Sequence, residues 1–170
     1  MTPVFWLFGL PSSGKTTLAK ALRDHLQAAG KPVILLDGDE LRSGLCADLG
    51  FSDADRSENL RRAAQLTKLT ADQGNTVVCA FVTPKKHHRD LVRQILGERV
   101  RLIHIDCPLE VCIARDVKGL YAKAAAQQMT CMTGTLDGFE APVRTDLVIR
   151  TDNATVPQAF EHLLAALKEP

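Results

Sequence analysis

The chain has 170 residues, 45% of them hydrophobic and 24% charged, with a formal net charge of +1. That length predicts one domain, residues 1–170, and the balanced charge argues against a nucleic-acid binder held by bulk electrostatics. No apolar run approaches a membrane span, no signal peptide is evident, and five cysteines (Cys46, Cys79, Cys107, Cys112, Cys131) without C-x-x-C pairing fit reduced thiols in the cytoplasm.

In chain order, Val4-Phe5-Trp6-Leu7-Phe8 reads as a buried strand. The next eight residues, Gly9-Leu10-Pro11-Ser12-Ser13-Gly14-Lys15-Thr16, fit the phosphate-binding pattern G-x-x-x-x-G-K-[ST]. Behind them Leu18, Ala21, Leu22, Leu26 and Ala29 recur at helical spacing, so the pattern has the strand and helix it requires. A glycine-framed turn aims successive N–H groups at one phosphate chain, and the helix N-terminus adds partial positive charge. Lys15 is placed to reach the β- and γ-phosphates of a nucleotide, and the Thr16 hydroxyl to hold Mg²⁺.

Val33-Ile34-Leu35-Leu36 is a second strand, stopping at the carboxylates of Asp37-Gly38-Asp39. Residues 40–50 read as a short helix ending at Gly50, and Ser52-Asp53-Ala54-Asp55 resembles a capping box that opens a helix to Gln73. The stripe of that helix is Leu60, Ala63, Ala64, Thr67 and Ala71. Thr76 to Val82 is a third strand, followed by a helix with Leu91, Val92, Ile95 and Leu96. A fourth strand, 100–105, leads into a short helix over 108–115. Residues 116–142 carry three glycines and little periodicity, the pattern of a mobile lid. Leu147 to Ile149 is a fifth strand, and Val156, Ala159, Phe160, Leu163, Leu164 and Leu167 mark a final helix.

Apolar strands alternating with helices predict an α/β fold of the P-loop NTP hydrolase kind: three layers, a five-stranded parallel sheet with helices on both faces, and a lid segment. Ligands then belong at the carboxyl ends of the strands, where the phosphate loop, Asp37, Asp39 and Thr83 fall. The guanine-reading N-K-x-D pattern is absent, and a phosphate loop with a lid suits a kinase with a second, nucleotide-sized substrate. Asp39 is the candidate base or orienting acceptor for the attacking hydroxyl, although an Asp there also suits a helix cap. Arg56 and Asn59 share a helix face and, with Arg42, suit a second anion and a ribose or base edge; a solvated face is the competing reading. Lys85-Lys86-His87-His88-Arg89 reads as a solvated helix start, with a basic patch reaching substrate phosphate or sulfate as the alternative; His87-His88 lacks metal-ligand spacing on one helix face, and His25, His104 and His162 read as structural.

The segments Asp37-Gly38-Asp39-Glu40-Leu41-Arg42, Asp48-Leu49-Gly50-Phe51-Ser52 and Asp55 to Arg62 resemble the adenylylsulfate (APS) kinase family. So do Pro108 to Cys112, Arg115-Asp116, Lys118-Gly119-Leu120-Tyr121, Thr133-Gly134 and Glu140-Ala141-Pro142, in order and spacing, over about residues 4–152. The resemblance implies transfer of the ATP γ-phosphate to the 3′-hydroxyl of adenylylsulfate, with Mg²⁺, and suggests a homodimer. It implies that Asp39 is the catalytic aspartate beside Lys15, and that Thr17 and Arg115 join the phosphate loop in binding ATP. Arg42, Arg56 and Asn59 then contact substrate, Phe51 packs on its base, Val82-Thr83 lines the same pocket, and Lys118-Gly119-Leu120 closes over it.

The sequence also departs from the family pattern. Glu40 stands for Asn, Val117 for Pro, and Ala122 and Ala125 for Lys and Arg; Pro11 and Ser12 stand where Ser and Gly are usual. Met132 replaces the Phe that completes an aromatic clamp, and a thioether holds a base less specifically than a ring does. The donor half of the site reads as intact and the acceptor half as altered. Three readings stay open: an adenylylsulfate kinase, a relative acting on another activated nucleotide such as cytidine diphosphoramidate, or a nucleotide-binding module without catalysis.

Overall fold

The computed structural model describes residues 1–126 and 138–168. Five strands, β1 (Val4–Phe8), β2 (Val33–Asp37), β3 (Thr76–Phe81), β4 (Val100–Asp106) and β5 (Leu147–Arg150), form one sheet in the order β2-β3-β1-β4-β5. Every neighbouring pair is parallel, and β1 lies at the centre with Phe8 opposite Phe81 on one side and His104 on the other.

Side chains alternate across a strand, so each apolar strand feeds two cores. Val4, Trp6 and Phe8 pack with Val77, Cys79, Phe81 and Leu102 beneath α3 (Asp53–Asp72) and α4 (Lys86–Leu96). Leu7, Val78, Ala80, Ile103, Ile105 and Ile149 face the opposite way, under α1 (Lys15–Ala28) and α7 (Val156–Lys168). The expected α3 stripe is buried throughout, whereas on α1 Ala19 takes the place expected of Ala21, and Ala29 is the exposed C-cap. Among the described residues no helix is long and apolar enough to cross a membrane.

Three expectations are corrected. The helix expected over 40–50 is α2 (Gly38–Ser43), because Asp37 caps it by accepting the Asp39 N–H, and the chain turns from Gly44 onward. After α5 (Leu109–Arg115), the aperiodic stretch contains a helix, α6 (Leu120–Ala125), which Asp116 nucleates by accepting the N–H groups of Tyr121 and Ala122 at 3.0 Å each. The basic run is not simply solvated. His88 and Arg89 are buried, His88 against Ser57 at 3.2 Å, while Arg89 donates to the Thr83 and Pro84 carbonyls and lies over the Phe8 ring. His104 is structural as expected, stacked between Phe8 and Phe139; His25 meets Phe160 edge-on, and His162 is exposed. Ser52 caps α3, its hydroxyl accepting the Asp55 N–H at 3.1 Å.

Candidate active site

Gly9 leaves β1 with its N–H donating to the Val82 carbonyl, which ties the loop to the end of β3. A Cβ on Gly9 would come within 2.5 Å of the Ile105 carbonyl oxygen, so the close approach of loop to sheet requires glycine. The loop closes on Lys15, which is buried and donates from Nζ to the Leu10 carbonyl at 2.6 Å. Burial, and secondarily the Lys118 ammonium, lower its pKa to about 7. A buried ammonium that among the described residues donates to a carbonyl, at a helix N-terminus, is poised for an anion.

The tip of β2 supplies the next groups. Asp37 accepts the Thr16 hydroxyl on Oδ2 at 2.8 Å and the Asp39 N–H on Oδ1 at 2.9 Å. Since Asp37 is the cap, the Asp39 carboxylate is free of that duty and pairs with the Lys118 ammonium. Thr16 and Asp37 offer two hard oxygen donors side by side at the phosphate loop, the ligand chemistry Mg²⁺ takes when it keeps waters and phosphate oxygens.

Two cavities meet at Asp39. The larger, about 470 Å³, runs from the phosphate loop past Arg115 and Lys118 to Thr155 and Val156. The smaller, about 180 Å³, is walled by Arg42, Phe51, Arg56, Asn59, Thr83 and Leu120. Gly38, Asp39, Val82 and Leu120 line both. In the smaller one, Arg42 lies over the Phe51 ring at 4.3 Å and Arg56 at 5.6 Å, so two cations gather at the ring. Arg42 also donates to the Gly50 carbonyl, and Arg56 to that of Phe51. Asn59 Oδ1 is buried and has no protein partner among the described residues. Thr83 adopts φ 45, costly for a β-branched residue, and its hydroxyl is held by the buried Trp6 indole N–H at 2.9 Å.

A model of the adenylylsulphate kinase family matches residues 1–150. The chain belongs to that family. The adenylyl-sulfate kinase of Paraburkholderia xenovorans (strain LB400) is 48% identical over 164 residues, covering 96% of this chain and 92% of that one. The enzyme of the same name from Shewanella amazonensis (strain ATCC BAA-1098 / SB2B) is 48% identical over 162 residues, covering 95% and 82%. Among solved structures, the Mycobacterium tuberculosis APS kinase CysC in complex with AMPPNP and APS superposes with a TM-score of 0.93 at 37% identity, over 99% of this chain and 98% of that one. A hexameric APS kinase from Thiobacillus denitrificans gives 0.71 at 28% identity, over 98% of this chain and 29% of that one.

Within this adenylylsulphate kinase fold, most of the residues singled out in the sequence line the two cavities; Gly9, Leu10, Ser13 and Gly119 line neither and shape the loops behind them, and Met132 lies outside the described residues. Three contributors were given no role by the sequence. Asp37 was legible only as a carboxylate at a strand tip; its pairing with Thr16 needs β2 and α1 to be placed side by side. Thr151 donates to the Ser13 carbonyl at 2.7 Å, and its own carbonyl accepts from Arg115; no motif marks it. Tyr121 donates to the Pro11 carbonyl at 3.0 Å and packs on Cys107 and Cys112. Burial pushes the Cys112 thiol up to about 12, as it does that of Cys79, so neither is a thiolate nucleophile at neutral pH.

Proposed function

We propose that this protein transfers the γ-phosphate of ATP to the 3′-hydroxyl of adenylylsulfate, giving 3′-phosphoadenylylsulfate and ADP. The observation that carries the proposal is the pair of cavities that share Asp39, one opening from a complete phosphate loop and the other walled by an aromatic ring with two arginines beside it. A transferase needs two sites meeting at one point, whereas a hydrolase or a binding module needs only the first.

In this reading residues 1–170 are one kinase domain with a lid over about 116–142. The loop amides and Lys15 hold the polyphosphate and offset the charge that develops as the bond from γ-phosphorus to the bridging oxygen breaks. Thr16 and Asp37 would hold Mg²⁺, which when bound neutralises phosphate charge. Asp39 orients the 3′-hydroxyl and accepts its proton as the new O–P bond forms, and Lys118 steadies that carboxylate beside the transferred group. Phe51, Arg42 and Arg56 take the base and the anionic tail of the acceptor, and Asn59 Oδ1 takes a donor from it.

The test is steady-state kinetics coupled to ADP release, with ATP–Mg²⁺ and either adenylylsulfate or cytidine diphosphoramidate. Turnover of adenylylsulfate, abolished in Lys15→Ala and Asp39→Ala with the fold retained, is expected. Turnover of the cytidine compound alone would move the protein to the second reading, and full activity in Asp39→Ala would remove that residue's role.

A further inference from the structure

Ser12 sits at φ 62, a left-handed conformation that disfavours any residue carrying a Cβ. What its side chain gains there is one contact: its hydroxyl accepts the Val117 N–H at 3.2 Å, a bond that spans 105 positions of the chain. Val117 itself is 77% exposed, so its own side chain does little to fix this peptide. The next residue is Lys118, whose ammonium meets the Asp39 carboxylate.

The surrounding turn is sharp and well anchored at its far end. Asp116 (φ 25) and Gly119 (φ 64) bracket Lys118 with left-handed backbone. The Asp116 carboxylate caps α6, and the Tyr121 hydroxyl fastens α6 to Pro11. Between those points, the Ser12–Val117 bond attaches the turn itself to the phosphate loop. Neither partner is replaceable by the residue usual in the family. Glycine at 12 would relieve φ but has no hydroxyl, and proline at 117 has no N–H. Two of the departures seen in the sequence are therefore the two halves of one bond.

We propose that Ser12 is a positioning residue: through the Val117 amide it sets Lys118 against Asp39, and so links the nucleotide-binding loop to the cation that serves the acceptor. This rests on the roles given above to Lys118 and Asp39. Its hydroxyl is thereby committed to the lid rather than to the nucleotide.

Two measurements test it. In the protein without ligand, amide exchange at Val117, read by NMR, speeds up about two- to tenfold in Ser12→Gly and Ser12→Ala, the range expected for one net hydrogen bond. Equal exchange in native and variant protein would mean the bond does not form and would overturn the proposal, whatever the substrate. In turnover with ATP–Mg²⁺ and adenylylsulfate, both variants lose about two- to tenfold in kcat/KM for the acceptor, a larger change than any in KM for ATP. Val117→Pro produces the same loss, and adding Ser12→Ala to it costs nothing more. A rise in KM for ATP alone, or losses that multiply in the double variant, would place Ser12 on the nucleotide and overturn the proposal. A native protein that turns over no adenylylsulfate would defeat the functional reading instead, leaving the exchange measurement to decide the bond.

Discussion

Asp37→Asn tests how the two halves of the site are joined. In the native protein one carboxylate oxygen accepts the Thr16 hydroxyl at 2.8 Å while the other accepts the Asp39 N–H at 2.9 Å. An asparagine keeps one acceptor. With its oxygen on the Asp39 N–H, its NH₂ faces the Thr16 hydroxyl as a donor, and that hydroxyl has to turn. A hydrogen bond to a charged group is worth about 1.5–3 kcal/mol, so kcat/KM for ATP–Mg²⁺ should fall about 10- to 150-fold. The concentration of Mg²⁺ needed for half-maximal rate should rise, and KM for the acceptor should stay put because the Asp39 backbone is still held. Asp37→Ala removes both bonds and the α2 cap, worth about 1 kcal/mol, so there the acceptor KM rises too. The assay is ADP-coupled turnover titrated with Mg²⁺, with thermal unfolding as a check on folding. Native Mg²⁺ dependence in Asp37→Asn would refute the assignment of Thr16 and Asp37 to the metal.

The remaining expectations concern protons and support. With the Lys15 pKa lowered to about 7, chiefly by burial, most of the free protein at pH 8 lacks that proton, whereas bound polyphosphate favours the ammonium. Calorimetry in buffers of different ionisation enthalpy should therefore show uptake of close to one proton on ATP binding at pH 8; no uptake would refute the shift. His88 is pushed down to about 4, mainly by burial, from 6.5, so the unfolded chain binds the extra proton first. Its contribution is present above about pH 6.5 and is lost as pH falls toward 4; urea unfolding should show that loss, and His88→Gln should flatten it. Trp6→Phe strips the indole donor from the Thr83 hydroxyl and should cost about 1–3 kcal/mol in urea unfolding. It should also raise KM for the acceptor without touching that for ATP, since Thr83 lines only the smaller cavity.

How far the sequence revealed this site follows from how locally each part is built. The phosphate loop needs only a strand, eight residues and a helix, all contiguous, so its pattern announces it. The Ser52 cap of α3 and the stripe behind it are equally local, and both were legible, although the reciprocal half of the expected capping box does not form: Asp55 accepts the Ser52 hydroxyl. The smaller cavity joins Arg42, Phe51 and Arg56 to Thr83 and Leu120, which become neighbours only through the crossover from β2 to β3 and the return of the chain at α6. Spacing alone left Arg56 and Asn59 undecided between substrate and solvent, and the resemblance to a family had to supply what periodicity lacked. The basic run failed for another reason. A charge run is ordinarily solvated, and what buries His88 and Arg89 is a hydroxyl thirty-one residues upstream and two carbonyls freed where β3 ends.

The lid turn carries the same logic one step further. Glycine and proline at positions 12 and 117 would fix its shape through backbone preference alone, whereas serine and valine fix it by a bond that exists only when both ends are folded. Backbone preference acts on the unfolded chain as well, but a tertiary hydrogen bond acts only in the closed arrangement and can open. The turn over 116–119 is held in this second way, by the Ser12 contact and, through α6, by the Tyr121 hydroxyl on the Pro11 carbonyl. Through these contacts the nucleotide-binding loop and the Lys118–Asp39 pair are joined in one network.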